Sequence, residues 1–262
     1  MTSPDAVSLI TVSYNSARAL ERFWAGHRFV PYEWTVVDNG SSDDSREVAR
    51  RLGAQVVALD SNQGFSAANN VGASATDGEV LIFCNPDVTV TPDGIATLAD
   101  QVRQTGGIVA PQLVNADGSL QENGRGIPYL HRKVRHLLGW DDPGYVRLAK
   151  ASEVIDVAWV MGAALAITRE DFLRIGGWDP GYFLYYEDHD LGLRMRSAGL
   201  PVRINGDVRW AHGWRRETRR NLTVAAWRNE FRSAARFYRQ HPYCLVPLPG
   251  RAADQVRRLD VV

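Results

Sequence analysis

The sequence predicts an α/β chain with a mostly parallel central sheet, helices on both of its faces, and a basic amphipathic helix near the C-terminal end. Three observations carry that reading. Short β-branched apolar runs alternate with helix-periodic stretches over residues 7–84, the pattern of right-handed crossovers in a parallel sheet. Each run ends in a polar loop, so the loops share one edge. The run Leu81-Ile82-Phe83-Cys84 stops at Asn85-Pro86-Asp87, where Pro86 denies the ladder an N–H and leaves Asp87 at the carboxyl edge. Open α/β sheets bind ligands at that edge.

In order, Val7-Ser8-Leu9-Ile10-Thr11-Val12-Ser13 reads as a strand, followed by the loop Tyr14-Asn15-Ser16 and a helix carrying Leu20, Phe23 and Trp24 on one face. Trp34-Thr35-Val36-Val37 is a second strand, ending at Asp38-Asn39-Gly40, with Asp43 or Asp44 placed to cap the next helix. Gln55-Val56-Val57-Ala58-Leu59 is a third strand, followed by Asn62-Gln63-Gly64-Phe65 and an Ala-rich helix. Thr91-Pro92-Asp93 suits a helix start, and Gly106-Gly107 its end. Beyond it two short strands flank Pro111, Asn115-Ala116-Asp117-Gly118 makes a hairpin-type turn, and residues 121–150 read as an irregular, basic segment that moves without ligand. Residues 160–167 read as one strand, with small residues that permit close backbone approach. Short strands follow at 202–204 and 208–210, then an amphipathic helix over 222–240 with Arg228, Arg232, Arg236 and Arg239 interleaved. That helix suits either packing on the core or attachment to a membrane surface.

The 262 residues, 45% hydrophobic and 23% charged, fit an ordinary globular enzyme, and a net charge of zero gives no reason to expect nucleic acid. The charge is uneven, however. From Arg203 onward thirteen arginines face five acidic residues, so the tail suits a phosphate or an anionic surface. Cys84 and Cys244 lack metal or redox spacing and read as small buried hydrophobes. With no signal-peptide pattern at the start and no run of eighteen apolar residues, the expected location is the cytoplasm, with any membrane contact peripheral.

Chemistry concentrates in a few places. Thr11, Ser13 and Asn15 in the first loop, Asp38 in the second, and Asn62 and Gly64 in the third converge beside Asp87. The absence of Gly-x-Gly-x-x-Gly after the first strand points to a mononucleotide whose diphosphate is held through a metal, rather than a dinucleotide. Aromatics lead into Glu187, Asp188 and Asp190 at a helix start. Asp190 is placed to pair with Arg194, and Asp188 is set as a general base.

Taken together, Val12-Ser13-Tyr14-Asn15-Ser16, Val37-Asp38-Asn39-Gly40-Ser41, Asn62-Gln63-Gly64-Phe65 with Asn69-Asn70, Asn85-Pro86-Asp87, Gly176-Gly177-Trp178-Asp179 and Glu187-Asp188-x-Asp190-Leu191 resemble the family 2 glycosyltransferases of GT-A fold, in their rhamnosyltransferase-like branch. The resemblance implies a single catalytic domain: a nucleotide-sugar-binding half at 1–110, an acceptor-binding half at 111–215 and a helical extension at 216–262. It implies an inverting transfer from a nucleotide-diphosphate sugar, dTDP-rhamnose or a UDP-sugar first, to an acceptor hydroxyl, including one on a polyprenyl diphosphate. Asp38 would contact the nucleotide, with Thr11, Ser13, Tyr14 and Asn15 beside it, and Asn39, Asn62, Gly64, Phe65, Asn69 and Asn85 would complete the donor site. Asp87 would hold Mg2+ or Mn2+, joined by His212, and Asp188 would be the base with Glu187 its rival. Asn85 stands where the family's metal-binding motif often has its first aspartate. Two other readings remain open: a non-catalytic sugar- or nucleotide-binding partner, and a sugar nucleotidyltransferase, which wants a Gly-rich triphosphate loop that Tyr14-Asn15-Ser16-Ala17 does not provide.

Overall fold

The computed structural model describes residues 7–26, 32–140, 144–213 and 224–245. Strands β1 (Val7–Ser13), β2 (Glu33–Asp38), β3 (Gln55–Ala58) and β4 (Val80–Cys84) pair in parallel, linked by α1 (Ala17–Trp24), α2 (Ser45–Arg51) and α3 (Phe65–Ser74). Strand periodicity sorts their side chains onto two faces. Leu9, Val36 and Ile82 pack with Leu20, Trp24 and Val48, whereas Ile10, Leu81 and Phe83 pack on the other side with Ala73.

After β4 come α4 (Pro92–Thr105), β5 (Ile108–Val114), β6 (Gly124–Arg125), α5 (Leu130–Leu137), β7 (Val146–Arg147), β8 (Val154–Asp156), β9 (Trp159–Val160) and β10 (Ala164–Thr168). They are followed by α6 (Arg169–Arg174), α7 (Glu187–Ser197), β11 (Val202–Ala211) and α8 (Val224–Gln240). Thr91 caps α4 by accepting from the Gly94 N–H at 3.3 Å. The main sheet runs β3-β2-β1-β4-β10-β5-β11-β8, with β10 and β8 antiparallel to their neighbours, and a small sheet runs β7-β6-β9.

The structure departs from the sequence expectations in three places. β5 is one strand through Pro111 because its parallel partner β11 slips register between Asn205 and Arg209, beside that proline. The missing N–H therefore falls where pairing is already interrupted, and the same bulge joins the two strands expected at 202–204 and 208–210. Residues 160–167, expected as one strand, are split. β9 belongs to the small sheet and β10 to the large one, with the break at Met161-Gly162-Ala163. Residues 121–150 hold a helix and two strands, whose hydrophobic period is diluted by basic residues in the sequence.

α8 packs on the core through Phe237, which is fully buried, while Ser233 donates to the Leu184 carbonyl and Arg236 pairs with Asp179 at 2.8 Å. Among the described residues no helix is long and apolar enough to cross a membrane. The basic stretch 214–220 lies outside the described residues.

Candidate active site

The loops after β1, β2 and β3 are held by asparagines. Asn39 donates to the Asn62 side chain at 3.0 Å and to the Gly64 carbonyl, and accepts from the Gln63 N–H at 2.8 Å. Asn62 also accepts from the Gly64 N–H, and Asn15, at φ 51°, accepts from the Ser42 N–H at 2.8 Å. Asn69 is buried and donates to the Phe65 carbonyl. These side chains fix loop shape by giving buried backbone groups partners. Thr11 lies deeper still: its hydroxyl accepts from the Trp34 indole at 3.1 Å inside the core, while Tyr14 is exposed.

Asp38 and Ser13 sit side by side at the ends of β2 and β1. The Asp38 Oδ2 atom takes the Arg46 guanidinium at 2.6 Å and the Ser41 N–H, but its Oδ1 and the Ser13 hydroxyl are buried without a partner. Unsatisfied buried acceptors are costly, so a pair of them at the ligand edge of a sheet has the character of a site awaiting a donor group.

Asp87 and His212 meet across β4 and β11. The His212 Nδ1–H donates to Gln121 Oε1 at 2.9 Å, which turns Nε2 toward Asp87 Oδ1, 3.5 Å away. The backbone enforces this, since the Gly213 N–H donates to the Asp87 carbonyl and Gln121 donates to the His212 carbonyl. An imidazole nitrogen and a carboxylate facing one another, with the Asp87 side chain 31% exposed, fit a divalent cation. Among the described residues no third His, Cys, Asp or Glu joins them. Asn85 follows β4 and donates its backbone N–H to the Ala163 carbonyl at 2.8 Å.

Asp188 occupies the first turn of α7. Its Oδ1 accepts from the His189 N–H at 2.8 Å and from the His189 ring at 2.7 Å, and among the described residues its Oδ2 accepts only from the Gly162 N–H, at 3.3 Å. Burial works to raise its carboxyl, but the His189 ring and the two backbone N–H groups outweigh it and hold Asp188 below the usual carboxylate range. His189 is pushed down to about 4 by burial and by the Lys133 charge, against the pull of Asp188. The ring is thus a neutral donor, stacked on Trp159 with centroids 3.6 Å apart. Glu187 differs: burial and the adjacent Asp188 charge push it well above its usual range, and Oε2 has no partner. Asp190 is a structural residue, tied to Arg194 at 2.7 Å and His241 at 2.8 Å.

One dipeptide connects these parts. Gly162 binds the Asp188 carboxylate and Ala163 accepts from Asn85, so the segments of Asp188 and Asp87 meet at the point where the chain changes sheets. On the other flank Gly64, at φ 88°, leaves no room for a Cβ, which would stand 2.6 Å from the Phe183 carbonyl, and the Phe65 N–H donates to that same oxygen at 2.8 Å. Tyr185 and Tyr186 both have left-handed φ values, 70° and 68°, a strained arrangement immediately before the acids. Gln121, Gly162 and His189 carry parts of this geometry that sequence reasoning missed. Gln121 and Gly162 have no local signal. His189 had one, since it sits between two acids of a recognised motif.

Residues 8–165 match the family model described as Glycosyl transferase family 2, and residues 144–209 match one described as the N-terminal domain of galactosyltransferase. The N-acetylglucosaminyl-diphospho-decaprenol L-rhamnosyltransferase of Mycobacterium tuberculosis is 30% identical over 221 residues, covering 74% of this chain and 72% of the relative. Among solved structures, GalNAc-T7 with UDP, GalNAc and Mn2+ superposes with a TM-score of 0.63 at 16% identity, covering 96% of this chain and 53% of that one. The S. aureus TarS 1-349 complex with UDP-GlcNAc gives 0.61 at 14% identity, covering 95% and 69%. Fold and matches define a glycosyltransferase of GT-A architecture. The chain belongs to glycosyl transferase family 2 and is similar to a rhamnosyltransferase within it.

Proposed function

We propose that the chain transfers a sugar, with inversion, from a nucleoside-diphosphate donor to a hydroxyl of an acceptor carried on a polyprenyl diphosphate. The observation that carries this is the Gly162-Ala163 bridge, which sets Asp188 and the Asp87 segment on opposite sides of one link. The activity named for the mycobacterial relative supports rhamnose as the sugar and a lipid-linked acceptor. A thymine or uracil nucleotide suits the donor loops, because an imide N–H supplies the hydrogen that the Asp38 Oδ1 atom lacks.

In this reading Asp87 and His212 hold a divalent cation, with Gln121 fixing the histidine tautomer. When bound, the cation neutralises charge developing on the departing diphosphate. The acceptor oxygen attacks the anomeric carbon from the face opposite the nucleoside diphosphate, whose bond to that carbon breaks. Its proton passes to Asp188. Oδ2 is the accepting atom, because Oδ1 already takes two hydrogens from His189. Glu187, whose carboxyl burial and the neighbouring Asp188 charge push well above its usual range, is the poorer candidate for that role.

A panel of nucleotide sugars with Mn2+, scored by melting temperature, tests the donor class, since a ligand selective for the native state raises it. A metal-dependent rise with dTDP- or UDP-sugars is expected. No rise with any of them would sink the reading.

A further inference from the structure

α5 is turned inside out relative to an ordinary surface helix. Leu130, Val134 and Leu138 recur every four residues along its outer side, and with Trp140 just beyond they are 40% to 60% exposed. A surface helix normally turns such a stripe inward. Here the inward side is basic. The Lys133 ammonium lies 3.7 Å from the centre of the Tyr186 ring, two residues before Asp188, and the Arg132 guanidinium lies over Tyr129. Between residues 125 and 140 the chain holds Arg125, Arg132, Lys133, Arg135, His131 and His136, with Arg135 and His131 on the exposed side between the apolar residues; Glu122 pairs with Arg125 at 3.0 Å, and Asp141 and Asp142 follow Trp140 in the sequence.

We propose that this ridge is a docking surface for an anionic lipid bilayer. The choice of occupant rests on the proposed lipid-linked acceptor and on charge: over residues 130–138 the apolar stripe is interleaved with cations alone, which matches the boundary between acyl chains and anionic headgroups. A helix is about 10 Å across, so seating its outer side in the headgroups brings Tyr186 and the neighbouring Asp188 to the level where a membrane-held diphosphate sugar emerges. The inward Lys133 then sits between the bilayer and the base, a fitting cation for the acceptor's phosphates. This site is separate from α8, whose Phe237 and Arg236 are occupied in packing.

The test is co-sedimentation of the full chain with vesicles of phosphatidylcholine and phosphatidylglycerol, and of phosphatidylcholine alone. Binding is expected with the mixed vesicles and weaker binding with the neutral ones. A Leu130→Ser, Val134→Ser, Leu138→Ser variant is expected to lose about tenfold or more in vesicle affinity through lost apolar burial, while calorimetry with Mn2+ and UDP or dTDP shows unchanged nucleotide binding. Trp140 reports independently: bromolipid quenching present in the wild type should drop in Trp140→Phe. Full vesicle binding by the triple variant would overturn the proposal, and so would a wild type that ignores both vesicles yet binds nucleotide. A wild-type dimer in light scattering that the triple variant converts to a monomer would also overturn it, making the ridge a contact between copies. Loss of nucleotide binding in the wild type with vesicle binding intact would strike the donor reading and leave this one standing.

Discussion

The two ends of the candidate site are built from different materials. Around the ends of β1, β2 and β3, Asn15, Asn39 and Asn62 spend their amides on neighbouring loops, and the polar atoms left over, Asp38 Oδ1 and Ser13 Oγ, lie at neighbouring strand ends. Around the start of α7, Trp159, Tyr186, Tyr145 and Phe237 form an aromatic cluster in which Glu187, Asp188, His189 and Lys133 are sunk, each shifted from its ordinary titration range. A nucleotide is recognised by fixed hydrogen-bond geometry, which amide-locked loops preserve. Proton removal needs a tuned carboxylate, which an aromatic, poorly hydrated surround supplies.

Substitution can break that division of labour. The largest effect is expected for Asp188→Asn: turnover falls about 10²- to 10⁴-fold with donor affinity unchanged, measured by product formation and calorimetry. Loss of donor binding in that variant would erase the contrast between the two sides. Gln121→Leu removes the group that orients His212, and Mn2+-dependent nucleotide binding is expected to weaken by about 10- to 100-fold. Binding measured without metal should change little. Asn39→Ala leaves the Gln63 N–H without its acceptor and is expected to cost about 1–3 kcal/mol of stability, read by urea unfolding, while the acceptor-side pH behaviour stays as it was.

The smallest effects sharpen the comparison through pH. Because His189 titrates near 4 in the folded chain and near 6.5 when unfolded, the unfolded state takes up the extra proton first as the pH drops. The folded state therefore loses stability between about pH 6.5 and 4. His189→Gln should flatten the melting temperature over that interval. Glu187 acts in the opposite sense: its raised value means that stability is lost as the pH rises, so Glu187→Gln should melt slightly higher than wild type at pH 8. Asp188, held below the ordinary range, should stay ionised at pH 5, which keeps the acid limb of the turnover profile below that point.

The alternation of strands and helices, the stop at Pro86 and the Asp190–Arg194 pair were legible because each is a local pattern with one physical cause. Asp188 stood out for the same reason. The interruption at Met161-Gly162-Ala163 was not legible, since an apolar run of small residues reads identically whether it stays in one sheet or crosses between two. The bulge opposite Pro111 needs a partner strand ninety positions away. His212 was placed only by resemblance; what makes it useful is Gln121, a residue with no pattern of its own. The helix over residues 130–137 escaped because its apolar stripe is discontinuous and points outward.

The sheet change at Gly162-Ala163 also limits how such a chain can diversify. A substitution that moves this link disturbs the Asp188 carboxylate and the Asn85-Pro86-Asp87 turn together, so this dipeptide tolerates less sequence drift than the strands on either side of it.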